Sequence, residues 1–124
     1  MKRDMDLIRK LLLYFEERAS FAVERNPKIE GCDEREIGYQ LLLMAQANLI
    51  VYEASRSSTN PERLIAVYPF GLSWEGHEFL DAARDDTMWK KAKDAVLNAT
   101  GGLSLAVLKA LLVHYAKKGL GLGA

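Results

Sequence analysis

The chain has 124 residues, with 17 Lys+Arg against 17 Asp+Glu, so its formal net charge is +0. That length suits one compact domain, and a composition of 49% hydrophobic and 27% charged residues excludes a disordered or fibrous chain. The charge balance gives no general attraction to nucleic acid or an anionic membrane, and a single cysteine, Cys32, excludes an internal disulfide framework.

At the N-terminus, Lys2, Arg3, Asp4 and Asp6 mix their charges, and Leu11–Leu13 is soon interrupted by Glu16, Glu17 and Arg18. This predicts no export signal, and no apolar run nears the ~18 residues of a membrane span, so a cytoplasmic, soluble protein is expected. Met5, Ile8, Leu12 and Phe15 recur at helical spacing and predict a first helix from about Asp4 or Met5 to Arg18. Ala19 to Val23 is short, apolar and partly β-branched, which predicts a small strand before the Asn26-Pro27 turn. Asp33 followed by Glu36 has the spacing of a capping box and opens a second helix through Ala45, ended by Asn48.

Leu49–Ala54 and Leu64–Tyr68 read as two strands around the polar cluster Arg56–Pro61, a β-hairpin. Ser73 caps a third helix that contains Gly76, and Met88 to Asn98 is either its continuation or a separate helix after Asp85-Asp86. Gly101-Gly102 is a break, and Ser104 caps a last helix closed by Lys117, Lys118 and Gly119, with a glycine-rich tail expected to fray. The expectation is a single domain, with a core over 1–84 and a helical extension over 85–120.

Helix, short strand, helix, hairpin, helix resembles the order of elements in winged helix-turn-helix domains. Those domains carry three helices before the wing, so residues 19–32 would have to supply the extra one. Ile37–Ile50 resembles the recognition helix and first wing strand, with Asn48 where glycine is usual. Leu72–Leu80 is similar to the Leu-Thr-x-x-Gly-x-x-Phe-Leu that leads out of a wing. More broadly, Met1–Arg9 and Leu72–Thr87 resemble an uncharacterised family, a domain of unknown function, found in bacteria and their prophages. The resemblance implies an α+β, mainly helical fold: a winged helix-turn-helix-like core with additional C-terminal helices. It also implies a prophage-associated protein that binds double-stranded DNA and regulates transcription.

On that reading Arg35, Tyr39 and Gln40 would reach the major groove, with Gln46 also available, and Arg56 and Arg63 would steady the wing. Glu34 and Glu36 oppose it, because they would meet phosphates at the helix start. The helix is also apolar on most of its surface, which allows burial against protein on both faces. The alternative is therefore a protein-interaction or dimerisation module on the same scaffold without DNA binding. The halves of the chain are balanced: residues 1–60 hold nine Lys+Arg and ten Asp+Glu, residues 61–124 eight and seven. Lys90, Lys91 and Lys93, and Lys117-Lys118, each read as a solvated helix face or helix-end cations.

No enzymatic constellation emerges. Cys32 has no histidine nearby in sequence, and His77 and His114 have no second histidine one turn away. Asp81, Asp85 and Asp86 suit capping at a helix boundary. No catalysis, cofactor, metal or small-molecule substrate is expected. The last helix is apolar on more than one face, which points to a homodimer.

Overall fold

Asp4 sets the start of the first helix. Its carboxylate accepts from the Leu7 amide at 3.1 Å, and α1 runs Met5–Glu17. The anticipated stripe of Met5, Ile8, Leu12 and Phe15 is buried, joined by Leu7 and Leu11. The computed structural model of the chain describes residues 1–122; Gly123 and Ala124, the end of the tail expected to fray, lie outside the described residues.

No strand forms at Ala19–Val23. Just past it, the Glu24 amide donates to the Pro69 carbonyl at 2.9 Å. The Arg18 guanidinium takes the Ala22 and Phe70 carbonyls, at 2.7 and 3.1 Å, and Phe21 stacks on Phe70 at 5.6 Å. Side chains thus claim the groups a ladder would have used. Residues 19–32 form no helix either, so two helices rather than three precede the hairpin.

Asp33 caps α2, Glu34–Gln46, accepting from the Glu36 amide at 2.8 Å. At its other end Asn48 adopts a left-handed φ of 59°, while Leu49 N–H donates to Met44 O and Asn48 N–H to Ala45 O. These bonds form the paired closure that usually recruits glycine. β1, Ile50–Arg56, then pairs antiparallel with β2, Leu64–Leu72, with register shifts at Val51/Tyr52 and Ser55/Arg56. The second strand extends past the expected Tyr68, because a two-stranded sheet with an irregularity beside Pro69 tolerates its missing donor.

Ser73 turns the chain into α3, Trp74–Ala83. Its amide donates to Leu49 O at 3.2 Å, its hydroxyl donates to Asn48 O, and its Oγ accepts from Gly76 N–H at 3.0 Å. A Cβ at Gly76 would stand 2.0 Å from the Leu49 carbonyl oxygen, so this helix turn meets backbone directly. The sequence motif around Gly76 is thereby explained.

The chain groups into two compact units, Met1–His77 and Glu78–Ala124. In the second, Asp85 accepts from the Met88 amide at 2.8 Å and starts a separate helix α4, Asp86–Thr100, rather than continuing α3. Gly101, at a left-handed φ of 79°, ends it, and Ser104 caps α5, Leu105–Gly119. Phe79 meets Trp89 edge-on at 6.1 Å, and Ala92, Val96, Leu108 and Leu112 are buried. Among the described residues the fold is α+β and mainly helical, with five helices and one antiparallel hairpin. No described helix is long and apolar enough to cross a membrane.

Candidate functional site

The helix singled out for reading DNA is α2, and its burial pattern divides it cleanly. Ile37, Gln40, Leu41, Met44 and Ala45 are buried, one side of the helix at helical spacing. Arg35, Gly38 and Gln46 are exposed on the other side, and Tyr39, Leu42 and Leu43 are half-buried. The helix is therefore covered on one face, not on both.

Gln40 is not on the open face. It is only 2% exposed, its Oε1 accepts from the Asp4 amide at 2.9 Å, and its Nε2 donates to Lys2 O at 2.9 Å. This amide ties the N-terminal segment to α2 and cannot pair with a base. It leaves the candidate surface. The periodicity already held the reason, since Gln40 falls between Ile37 and Leu41 on the apolar side.

What remains open on α2 is acidic at its start. Asp33, Glu34 and Glu36 surround Arg35, the single cation of that turn. Beside it lies a groove of about 240 Å³ between α2 and β2, whose lining includes Arg25, Glu34, Gly38, Ile65 and Tyr68. Ile65 is 63% exposed, and the Arg25 guanidinium sits 5.1 Å over the Tyr68 ring. A neighbouring open hollow of about 710 Å³ adds Ile29 and the half-buried Cys32 to the same side of the unit.

Arg56 and Arg63 stand at opposite ends of the hairpin turn, both exposed. Arg56 is partly engaged, donating to Pro61 O at 3.2 Å, while Ser57 Oγ accepts from Thr59 and Asn60 amides and orders the tip. The turn therefore presents two cations with Glu62 between them.

The Tyr14 hydroxyl donates to Glu24 at 2.9 Å, and burial together with that carboxylate holds the phenol above its ordinary range, with Arg18 opposing. Among the described residues no group of three or more His, Cys, Asp or Glu is placed to hold a metal ion.

One feature of the second unit escaped the reading of sequence. The Lys91 ammonium lies 4.6 Å from the Tyr115 ring centroid, which links the helix of Lys90, Lys91 and Lys93 to that of Lys117 and Lys118. Two fifteen-residue helices around a Gly-Gly break were the available signal.

Comparison with known proteins adds family but not chemistry. Residues 2–102 match a family described as hypothetical protein (DUF2513). An uncharacterized protein of Haemophilus influenzae (strain ATCC 51907 / DSM 11121 / KW20 / Rd) is 38% identical over 111 residues, 88% of this chain and 90% of that protein. No solved structure matches the chain at a significant level.

Proposed function

Because the chain belongs to the DUF2513 family of hypothetical proteins, we propose a function from its own surfaces: a small regulatory binding protein, not an enzyme, whose N-terminal unit is a winged-helix-like scaffold that receives a protein partner. In this reading it works in the cytoplasm of a bacterium or prophage host, which the resemblance of residues 72–87 supports.

The observation that carries it is the open side of α2. DNA recognition asks for cations at the start of such a helix, because that end approaches phosphates. Here Asp33, Glu34 and Glu36 outnumber Arg35, and the adjoining groove offers Ile65 and Tyr68. An apolar side chain flanked by a lysine or arginine of a partner suits that groove. Residues 1–77 as a whole hold ten Lys+Arg against twelve Asp+Glu, which does nothing to draw DNA to this unit.

The second reading, major-groove contact by Arg35 and Tyr39 with Arg56 and Arg63 on phosphates, keeps one observation in its favour: Arg35, Arg56 and Arg63 are all exposed. A homodimer through α5 belongs to the proposal too, supported by exposed Val107 and half-buried Leu105, Leu111 and Val113.

A photo-crosslinking amino acid at Leu42 separates the readings in cells. The expected adduct is a protein–protein band that nuclease treatment leaves unchanged. An adduct that collapses under nuclease returns the helix to DNA and refutes the proposal.

A further inference from the structure

Residues 87–122 hold six lysines and a single carboxylate, Asp94, whereas residues 1–86 hold eleven Lys+Arg against sixteen Asp+Glu. A net charge of zero thus conceals a segregated chain. α4 and α5 run antiparallel, since Lys91 in the second turn of α4 touches Tyr115 near the end of α5. The topology places Lys90, Lys91 and Lys93 beside Lys117 and Lys118, at the end of the helical hairpin away from Gly101-Gly102. Lys118 follows Tyr115 by one helical turn, so the Lys91–Tyr115 contact lies between the two lysine groups.

The lysines are placed at the surface. Lys90, Lys91, Lys117 and Lys118 are exposed. Lys93 lies over the Trp89 ring at 5.6 Å, and Lys90 meets Asp94 at 3.7 Å with both side chains largely exposed. Of the carboxylates at this end, Asp85 is engaged as the cap of α4, and Asp86 stands in its first turn. Cations near the end of α5 also favour its dipole, whereas Lys90, Lys91 and Lys93 lie past the first turn of α4 and well before its last, where the dipole gives them no role. The dipole therefore does not account for the α4 group.

We propose that this end of the α4–α5 hairpin binds the phosphate backbone of duplex nucleic acid without reading bases. Lysine is a point charge suited to phosphate, and nothing here offers the paired, planar donors that identify a base. An anionic membrane is disfavoured because a surface helix must spend its apolar face on lipid. Trp89, Ala92, Val96, Leu108 and Leu112 are already buried, and of the exposed Met88, Leu97 and Val107 the last two lie toward the Gly101-Gly102 end, away from these lysines. Leu120 and Leu122 are exposed past the helix but alternate with glycines and form no such face. Phosphate binding here does not depend on the open side of α2; with a protein partner held there, the chain attaches that partner to nucleic acid.

The test uses the full chain and fluorescence anisotropy with a labelled duplex of about 20 base pairs, from about 20 to 200 mM salt. Binding is expected at the low end, falling with salt at a slope of about −0.9 per phosphate neutralised. Lys117→Ala with Lys118→Ala should weaken it at least ~10-fold and reduce the slope by about one unit per lysine. Lys117→Arg with Lys118→Arg should keep it, and Arg35→Ala, Arg56→Ala and Arg63→Ala should leave it unchanged. No binding at low salt overturns the proposal, as does equal binding by the lysine-to-alanine variant. Tighter binding to phosphatidylserine vesicles, or to a poly-glutamate peptide of matched charge, overturns it as well. Loss on replacing the three arginines instead would move DNA to the N-terminal unit and refute the α2 reading separately.

Discussion

Replacing Gly76 with alanine puts the central packing claim at risk. The new Cβ would stand 2.0 Å from Leu49 O, 3.0 Å from Leu49 C and 3.4 Å from the Leu72 side chain. Carbon and oxygen sit about 3.3 Å apart even in close C–H···O contacts, so the overlap exceeds an ångström and falls on backbone. The first turn of α3 must retreat. That breaks the Ser73 N–H bond to Leu49 O and the Ser73 hydroxyl bond to Asn48 O. Two such bonds at ~1 kcal/mol each, with ~1–3 kcal/mol of overpacking, outweigh the ~1 kcal/mol that alanine gains over glycine in a helix. Gly76→Ala should therefore lose about 2–4 kcal/mol, read by urea titration of the far-ultraviolet circular dichroism, with Tm falling roughly 8–16 °C. Gly38→Ala is the matched control, because an added Cβ there meets nothing within 4 Å and the helix continues on both sides. It should gain about 0.5–1 kcal/mol. The two substitutions are chemically identical and must differ in sign. A Gly76→Ala protein as stable as its parent refutes the backbone contact.

Gln40→Ala should cost about 1–3 kcal/mol by stranding the Asp4 amide and Lys2 carbonyl, and hydrogen exchange should show the Asp4 amide losing protection. Tyr14 carries a pH signature. Its folded-state pKa is raised, so the stability it confers is fully present below the unfolded value of ~10 and is lost as pH rises through the folded value. Tyr14→Phe should therefore remove part of the alkaline loss in stability, measured by urea titrations at about pH 9 and pH 11. An unchanged pH dependence would show that Tyr14 titrates as it does in the unfolded chain.

Much of the fold was legible because it depends on local chemistry. Asp33, Ser73 and Ser104 are caps wherever their helices point, and each accepts the expected amide. Asn48 could be assigned a left-handed φ because few side chains tolerate one. The failure at Ala19–Val23 is of another kind. Its apolar, β-branched character is real, but whether it joins a ladder depended on Arg18, the residue just past the end of α1, reaching Phe70, fifty-two positions away. No window on the segment contains that information. Gln40 was misplaced for a different reason: its residue type suggested base recognition, while its position at helical spacing from Ile37 and Met44 fixed its burial. Where type and position disagreed, position decided.

Charge poses the same contrast at the scale of the chain. Halving the sequence at residue 60 returned balance because Glu62, Glu75, Glu78, Asp81, Asp85 and Asp86 were counted with the lysines that follow them. Moving the boundary to residue 87, just inside α4, separates the signs, and only the antiparallel return of α5 turns that linear segregation into one surface. A linear count measures the field that a distant ligand meets, but contact binding depends on charges within about a Debye length, ~8 Å at physiological ionic strength. The lysines of α4 and α5 are therefore weighed against the charges of their own helical hairpin, where residues 87–122 hold six lysines and one carboxylate. Neutrality of the whole argues only against long-range steering. It leaves short-range attachment of nucleic acid to the basic end intact, with slow, salt-sensitive association as its expected mark.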